Sequence, residues 1–366
     1  MRKWINRLRA GRDSFRIAAS RRRHDRSRPS VDHIDRLKRV VFIRWDAKWG
    51  DSVVFSFVPR ALKAFNPEIS VEVVTTPEMA PLFRDTFVVD VVHETARKPS
   101  KDAMRGLAEK IGEVDLVVFF SHLIKHRDIF LLSQLKTRHL ASLDDSVGLV
   151  DLKLGEATRG RHMVDKYLVM LEKCGITGVN TDYVVPRSDE SEARVEQWRE
   201  GRPPMVTFNA YSKGRARSLT PETSERLIGL VLERLPEHEV CVMSAPGKQA
   251  EVEGLCSRFE SGRVVCLPET RAIHDNIALI DHSDALISGI TATVHMADGL
   301  GVPSFVLFPY DPDDRDDWHS RHPASVNLLS LPGDPQDVNR LNWSEVEGVL
   351  DRFCLAMRPA EPGSRH

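Results

Sequence analysis

The chain has 366 residues, 41% hydrophobic and 29% charged, a length that can fill two cores and a composition that is neither fibrous nor wholly disordered. Five cysteines (Cys174, Cys241, Cys256, Cys266, Cys354) form no CxxC or Cys/His cluster, which argues against a disulfide framework or a structural zinc and fits a reducing compartment. The net charge of −1 hides an asymmetry: residues 1–39 hold 14 of the 52 Lys+Arg and 4 of the 53 Asp+Glu, about +10 locally against about −11 for the rest.

Residues 1–38 form a basic N-terminal arm in which Trp4, Ile5, Leu8, Phe15 and Ile17 are scattered among arginines, ahead of Arg21-Arg-Arg-His-Asp-Arg-Ser-Arg28. Two readings stand open. The arm is a solvated tail, or it lies on an anionic lipid surface, where each cation contributes about 1 kcal/mol. It lacks the continuous apolar run of a signal peptide or a membrane span. Asp13 and Asp25 count against a transit peptide, and the acidic body gives nucleic acid no basic groove.

Residues 39–188 alternate apolar runs with helical spacing. Strands are expected at 40–44, 70–75, 88–92, 115–120 and 137–141, with a helix over 52–64 and another over 160–175 closed by Gly175. A charged helical piece around 190–200 bridges to a second half, residues 189–335. There strands are expected at 205–209, 239–243, 263–266, 285–288 and 304–308, with helices over 221–234, 249–259, 272–282 and 293–300. Residues 336–366 read as a C-terminal helix and tail that pack back on the body. Strand, helix, parallel strand is the unit of an α/β sheet whose ligands sit beyond the strands' carboxyl ends. Two such Rossmann-like domains are expected to face each other across a central cleft.

Two segments carry chemistry. Val40-Val-Phe-Ile-Arg-Trp-Asp-Ala-Lys-Trp-Gly-Asp51 breaks from a strand into a turn at Gly50 and places Asp51 at a helix start. Asp51 is a helix cap worth about 1 kcal/mol, or a general base aimed at an attacking hydroxyl. Asp46 and Lys48 beside it are candidates for acceptor binding. In the second half, Lys213, Arg215 and Arg217 put three cations near Ser212, suited to a diphosphate or simply solvated. The turn Thr291-Ala-Thr-Val-His295 opens a helix whose N–H groups at Ala292 and Thr293, with the threonine hydroxyls, suit the same phosphates. Asn209, Ser244, Gly247 and His295 are candidates for nucleotide or sugar contacts. The carboxylate-rich stretch 311–317 reads as a solvated acidic loop, and no metal site is expected.

Several of these segments together resemble the ADP-heptose:lipopolysaccharide heptosyltransferases: Gly50-Asp51, His162 with Asp165-Lys166, Asn209 to Pro221, the Gly247 turn, and Thr291 to Pro303 followed by Phe308-Pro-Tyr-Asp-Pro312. The resemblance spans about residues 40–320, and its most specific string is His295-Met-Ala-Asp-Gly-Leu-Gly-Val-Pro303. It implies a GT-B fold and metal-independent, inverting transfer from an ADP-sugar held mainly by the C-terminal domain. No cofactor is implied. It further implies Asp51 as base, Lys213 or Arg217 on the donor diphosphate, and a lipid-linked or lipooligosaccharide acceptor at the cytoplasmic face of a membrane. Ile290 stands where the family commonly has Asp, and Ala292 where it has Gly. Because Ile cannot hydrogen-bond a sugar hydroxyl, the donor sugar is open. A GT-B epimerase and a non-catalytic sugar-nucleotide-binding protein are the alternatives.

Overall fold

The computed structural model describes residues 2–357, and the backbone alone for residues 2–10. The expected tail beyond 357 lies outside the described residues. The chain divides into two compact units, Met1–Thr181 and Asp182–His366.

The first unit holds six strands: β1 (Arg39–Ile43), β2 (Ser70–Thr75), β3 (Val91–Glu94), β4 (Glu113–Phe119), β5 (Lys136–Ser142) and β6 (Leu152–Lys153). All pair in parallel, in the order β3-β2-β1-β4-β5-β6. The second unit repeats the plan with β7 (Met205–Asn209), β8 (Glu239–Val242), β9 (Val264–Val265), β10 (Ala285–Gly289), β11 (Ser304–Phe308) and β12 (Val326–Leu329), in the order β9-β8-β7-β10-β11-β12. Both are doubly wound sheets, reversing direction between β1 and β4 in one and between β7 and β10 in the other. The central strands are buried runs such as Val40-Val-Phe-Ile43 and Ser304-Phe-Val-Leu-Phe308, as a sheet covered on both faces requires.

Several expectations need correction. The sixth strand of each sheet was not expected. The third begins three residues later than 88, because a π-helical turn, Leu82–Thr86, carries the chain over an exposed Val88 before Val91 pairs with Glu72. The helix expected over 52–64 is two helices, Trp49–Phe55 and Phe57–Phe65, since Pro59 has no N–H to give to the Phe55 carbonyl. The acidic segment is no loop. It forms the helix Pro312–Trp318, with the Asp311 carboxylate accepting from the Asp314 N–H at 3.1 Å and Pro312 at the first position. The division between units precedes 188/189, because Tyr183 and Val185 already pack against Gly299 of the second unit.

The arm is not a solvated tail throughout. Arg2–His24 is one helix, and its C-terminal half docks on the first unit. Ile17 packs on the hydrophobic core, Ser20 Oγ donates to the His126 carbonyl at 2.8 Å, and His24 meets the Phe130 ring edge-on at 5.2 Å. Beyond it, Asp25 accepts from the Gly148 and Leu149 N–H groups at 3.0 and 2.8 Å, and Ile34 and Leu37 are buried. The C-terminal helix Trp343–Met357 buries Val346, Leu350 and Phe353 in the core of the second unit, Phe353 against Phe305 at 5.7 Å.

Candidate functional site

In the first unit the loop after β1 emerges at the point where the sheet reverses direction. Its left-handed step falls on Ala47 (φ 53), while Gly50, expected to make the turn, is buried in the first turn of the helix Trp49–Phe55. This left-handed step costs an L-residue about 1–2 kcal/mol. Asp51 is the third residue of that helix, 18% exposed, and pairs with Lys48 Nζ at 3.0 Å. A carboxylate there also benefits from the helix's positive end.

Beneath Asp51 lies a group that no sequence spacing announces. Arg44 reaches across 123 residues to the Tyr167 hydroxyl at 3.2 Å and sits 5.7 Å from the Phe55 ring centre. Its Nε and second Nη are buried without a hydrogen-bond partner, as is Asp46 Oδ1. Burial opposes the Arg44 charge, but Asp46, Tyr167 and Asp51 more than offset it and hold the guanidinium protonated. Burial likewise pushes the Asp46 carboxyl up from 3.8 and the Asp51 charge adds to it, with Arg44 and Lys48 offsetting part. The site is therefore a buried cation with donors to spare, flanked by two carboxylates. His162 caps the helix Met163–Lys173, its Nδ1 accepting from the Val164 N–H at 3.1 Å, and Lys166 is buried near His122 at 3.5 Å.

In the second unit the register of β7 with β10 sets Asn209 opposite Ser288 at the same switch point. Asn209 Nδ2 lies 3.2 Å from Ser288 Oγ and 3.1 Å from both Thr291 Oγ1 and Thr293 Oγ1, and the two threonine hydroxyls are 2.6 Å apart. Thr291 is the N-cap of the helix Ala292–Leu300 but makes no side-chain cap bond, so its hydroxyl belongs to this cluster and the first N–H groups lack an intrahelical acceptor. Thus Asn209, Thr291, Ala292 and Thr293 do come together, with Ser288 added. Asn209 Oδ1 in turn accepts from the Tyr211 N–H at 3.1 Å, fixing the start of the cation loop.

That loop runs from Tyr211 to Ser218. Gly214 (φ 105) turns it, and the Ser218 hydroxyl ties it by accepting from the Ser212 N–H and donating to the Ser212 carbonyl, both at 3.1 Å. A Cβ on Gly289 would lie 2.8 Å from the Arg217 carbonyl, so the loop backbone approaches β10 only because residue 289 is glycine. Lys213 is exposed at the tip, whereas Arg217 is half-buried and bound to Asp314 at 2.9 Å. No spacing in the chain points to Asp314 as this partner. Ser244 is buried, its carbonyl accepting from Asn276 Nδ2 at 2.9 Å, and Gly247 (φ 75) turns the chain after it. His295 is buried with its ring edge-on to Trp318 at 5.7 Å, and Ile290 is buried beside the cluster it cannot join. Among the described residues no group of three or more His, Cys, Asp or Glu could hold a metal ion, and no helix is long and apolar enough to cross a membrane.

No family model and no curated protein matches the chain. Solved structures do. A glycosyltransferase family 9 protein from Veillonella parvula superposes with a TM-score of 0.67 at 15% identity, covering 87% of this chain and 98% of that one. E. coli ADP-heptose lps heptosyltransferase II gives 0.62 at 16%, covering 87% and 99%. E. coli heptosyltransferase WaaC with ADP-2-deoxy-2-fluoro heptose gives 0.59 at 14%, covering 86% and 99%. The fold is that of the heptosyltransferases, GT-B. Open α/β sheets bind ligands at the switch point, and each candidate group lies at the switch point of its own sheet.

Proposed function

We propose that the chain is an inverting glycosyltransferase that moves a heptose or related sugar from an ADP-sugar to a lipopolysaccharide or other surface-glycan acceptor. The observation that carries this reading is the placement of a helix-borne carboxylate, Asp51, and of the Asn209–Thr291–Thr293 cluster at the two sheet switch points of a heptosyltransferase fold. One such structure holds an ADP-sugar analogue, which supports a nucleotide sugar as donor.

In this reading the second unit holds the donor. The cluster hydroxyls and the N–H groups of Ala292 and Thr293 receive the diphosphate, and Lys213 and Arg217 offset the charge that grows as it leaves, without calling on a metal. Ser244, Gly247 and His295 border the nucleotide or sugar. Asp51 takes the proton of the acceptor hydroxyl as it attacks the anomeric carbon from the face opposite the leaving group. Lys48 and Asp46 contact the acceptor. A lipid-linked acceptor sets the work at the cytoplasmic face of the inner membrane, where the basic arm supplies a peripheral contact with anionic lipid.

The test is to incubate the purified protein with ADP-heptose and a lipooligosaccharide acceptor and to read the anomeric configuration of any product by NMR. Inverted product supports the reading, and retained configuration contradicts it. Ile290 favours a second reading, a sugar-nucleotide-binding protein without transfer or one of epimerase type. The first predicts ADP binding with no turnover on any acceptor, the second altered sugar from donor incubated alone.

A further inference from the structure

We propose that the outward face of the N-terminal helix seats the protein on an anionic bilayer, Phe15 inserting among the lipids and the arginines around it pairing with headgroups. The proposal rests on the membrane-surface reading given with the function, and on no part of the sugar site. Its basis is how the helix is docked. Ile17, Ser20, Arg21 and His24 recur at helical spacing and face the body: Ile17 on the core, Ser20 on the His126 carbonyl, Arg21 on Ser146 Oγ at 2.7 Å, His24 on Phe130. Phe15 precedes Ile17 by two residues, about 200° round the helix, and is accordingly 73% exposed. Arg12, Arg16, Arg22 and Arg23 are exposed as well.

The helical backbone continues to Arg2, about 35 Å in all. The segment carries nine Lys/Arg and one acid, Asp13. Asp13 precedes Ile17 by four residues and so lies on the docked side, leaving the outward side cationic. An exposed phenylalanine bordered by arginines suits the boundary between headgroup and acyl chain, where apolar insertion and attraction to anionic lipid add. A nucleic-acid surface would use the arginines and leave Phe15 in water.

The test is co-sedimentation of the full-length protein with phosphatidylcholine vesicles with and without phosphatidylglycerol. The wild type should pellet with the anionic vesicles, release on raising salt, and stay in solution with the neutral ones. Phe15→Asp, and separately Arg22→Glu with Arg23→Glu, should each weaken partitioning about tenfold or more, while the circular dichroism spectrum and thermal stabilisation by ADP stay as in the wild type. Equal recovery with both vesicle types, no recovery with either, or loss of Phe15 without effect would overturn the proposal, as would salt-sensitive self-association through this helix in the absence of lipid. Loss of ADP stabilisation in the wild type would instead contradict the transferase reading and leave the vesicle result standing.

Discussion

Arg217 and Asp314 form an ion pair at 2.9 Å at the mouth of the second sheet's switch point. The cation proposed for a leaving diphosphate is thus paired already, with a carboxylate on the helix Pro312–Trp318. In the proposed function, donor binding exchanges one partner for the other.

The exchange can be measured. Asp314→Ala frees the guanidinium and should tighten ADP binding several-fold in calorimetry, whereas Arg217→Ala should weaken it about tenfold or more, the worth of a charge-assisted hydrogen bond. Unchanged affinity in both variants would move the diphosphate site away from Arg217.

Asn209 holds three hydroxyls together, so its loss should be felt in both folding and binding. Asn209→Ala leaves Ser288, Thr291 and Thr293 without their shared donor and should cost about 1–3 kcal/mol of stability in a urea titration of the second unit's signal. Asn209→Asp, which cannot donate, should bind ADP more weakly still because it sets a negative charge against the phosphates. An ADP affinity equal to wild type in both would show the cluster to be structural only.

Asp46 predicts a trade of stability for function. Its carboxyl is raised above 3.8 by burial and by Asp51, so the native state keeps a proton that the unfolded chain gives up. The carboxylate therefore disfavours the native state increasingly as pH rises above 3.8 through the raised value. Asp46→Asn should melt at a higher temperature than wild type at pH 7, with the difference vanishing below pH 3.8, and should transfer sugar more slowly. A variant less stable at neutral pH would contradict this account of the Arg44 site.

The docked arm should be pH-sensitive. His24 is lowered from 6.5 by burial and then by Lys101 and Arg23; His126 is lowered by burial and then by Arg127 and Arg16, with Asp13 acting the other way. Groups lowered in the docked state favour docking fully above 6.5 and lose that contribution as pH falls through 6.5 towards the lowered values. Hydrogen exchange at the amides of residues 17–24, corrected for intrinsic rate, should accelerate below pH 6.5 in the wild type. Phe replacing both histidines should flatten the response, and an unaltered response would point to the Asp25 contacts instead.

What the sequence showed depended on the range of the interactions. Apolar runs bounded by turn residues marked ten of the twelve strands among the described residues, because buried parallel strands are locally apolar. The sixth strands escaped notice: Leu152–Lys153 is two residues long, and Val326–Leu329 is half-buried with a polar Asn327 in it. The helix Pro312–Trp318 was legible from an Asp cap followed by Pro, but carboxylate density suggested a loop. Asp51, Asn209 and the Thr291 turn could be named because each adjoins a strand end. The partners Tyr167 and Asp314 lie 123 and 97 residues from Arg44 and Arg217, beyond any periodicity.

The most direct measurement of the central claim is the rate of ADP release from ADP-heptose with a lipooligosaccharide acceptor, compared between wild type and Asp51→Asn at equal ADP affinity. Asparagine keeps the helix position and cannot take a proton, so the account predicts a fall of about 10²-fold or more in kcat with calorimetric ADP binding unchanged. Turnover close to wild type in that variant would contradict it.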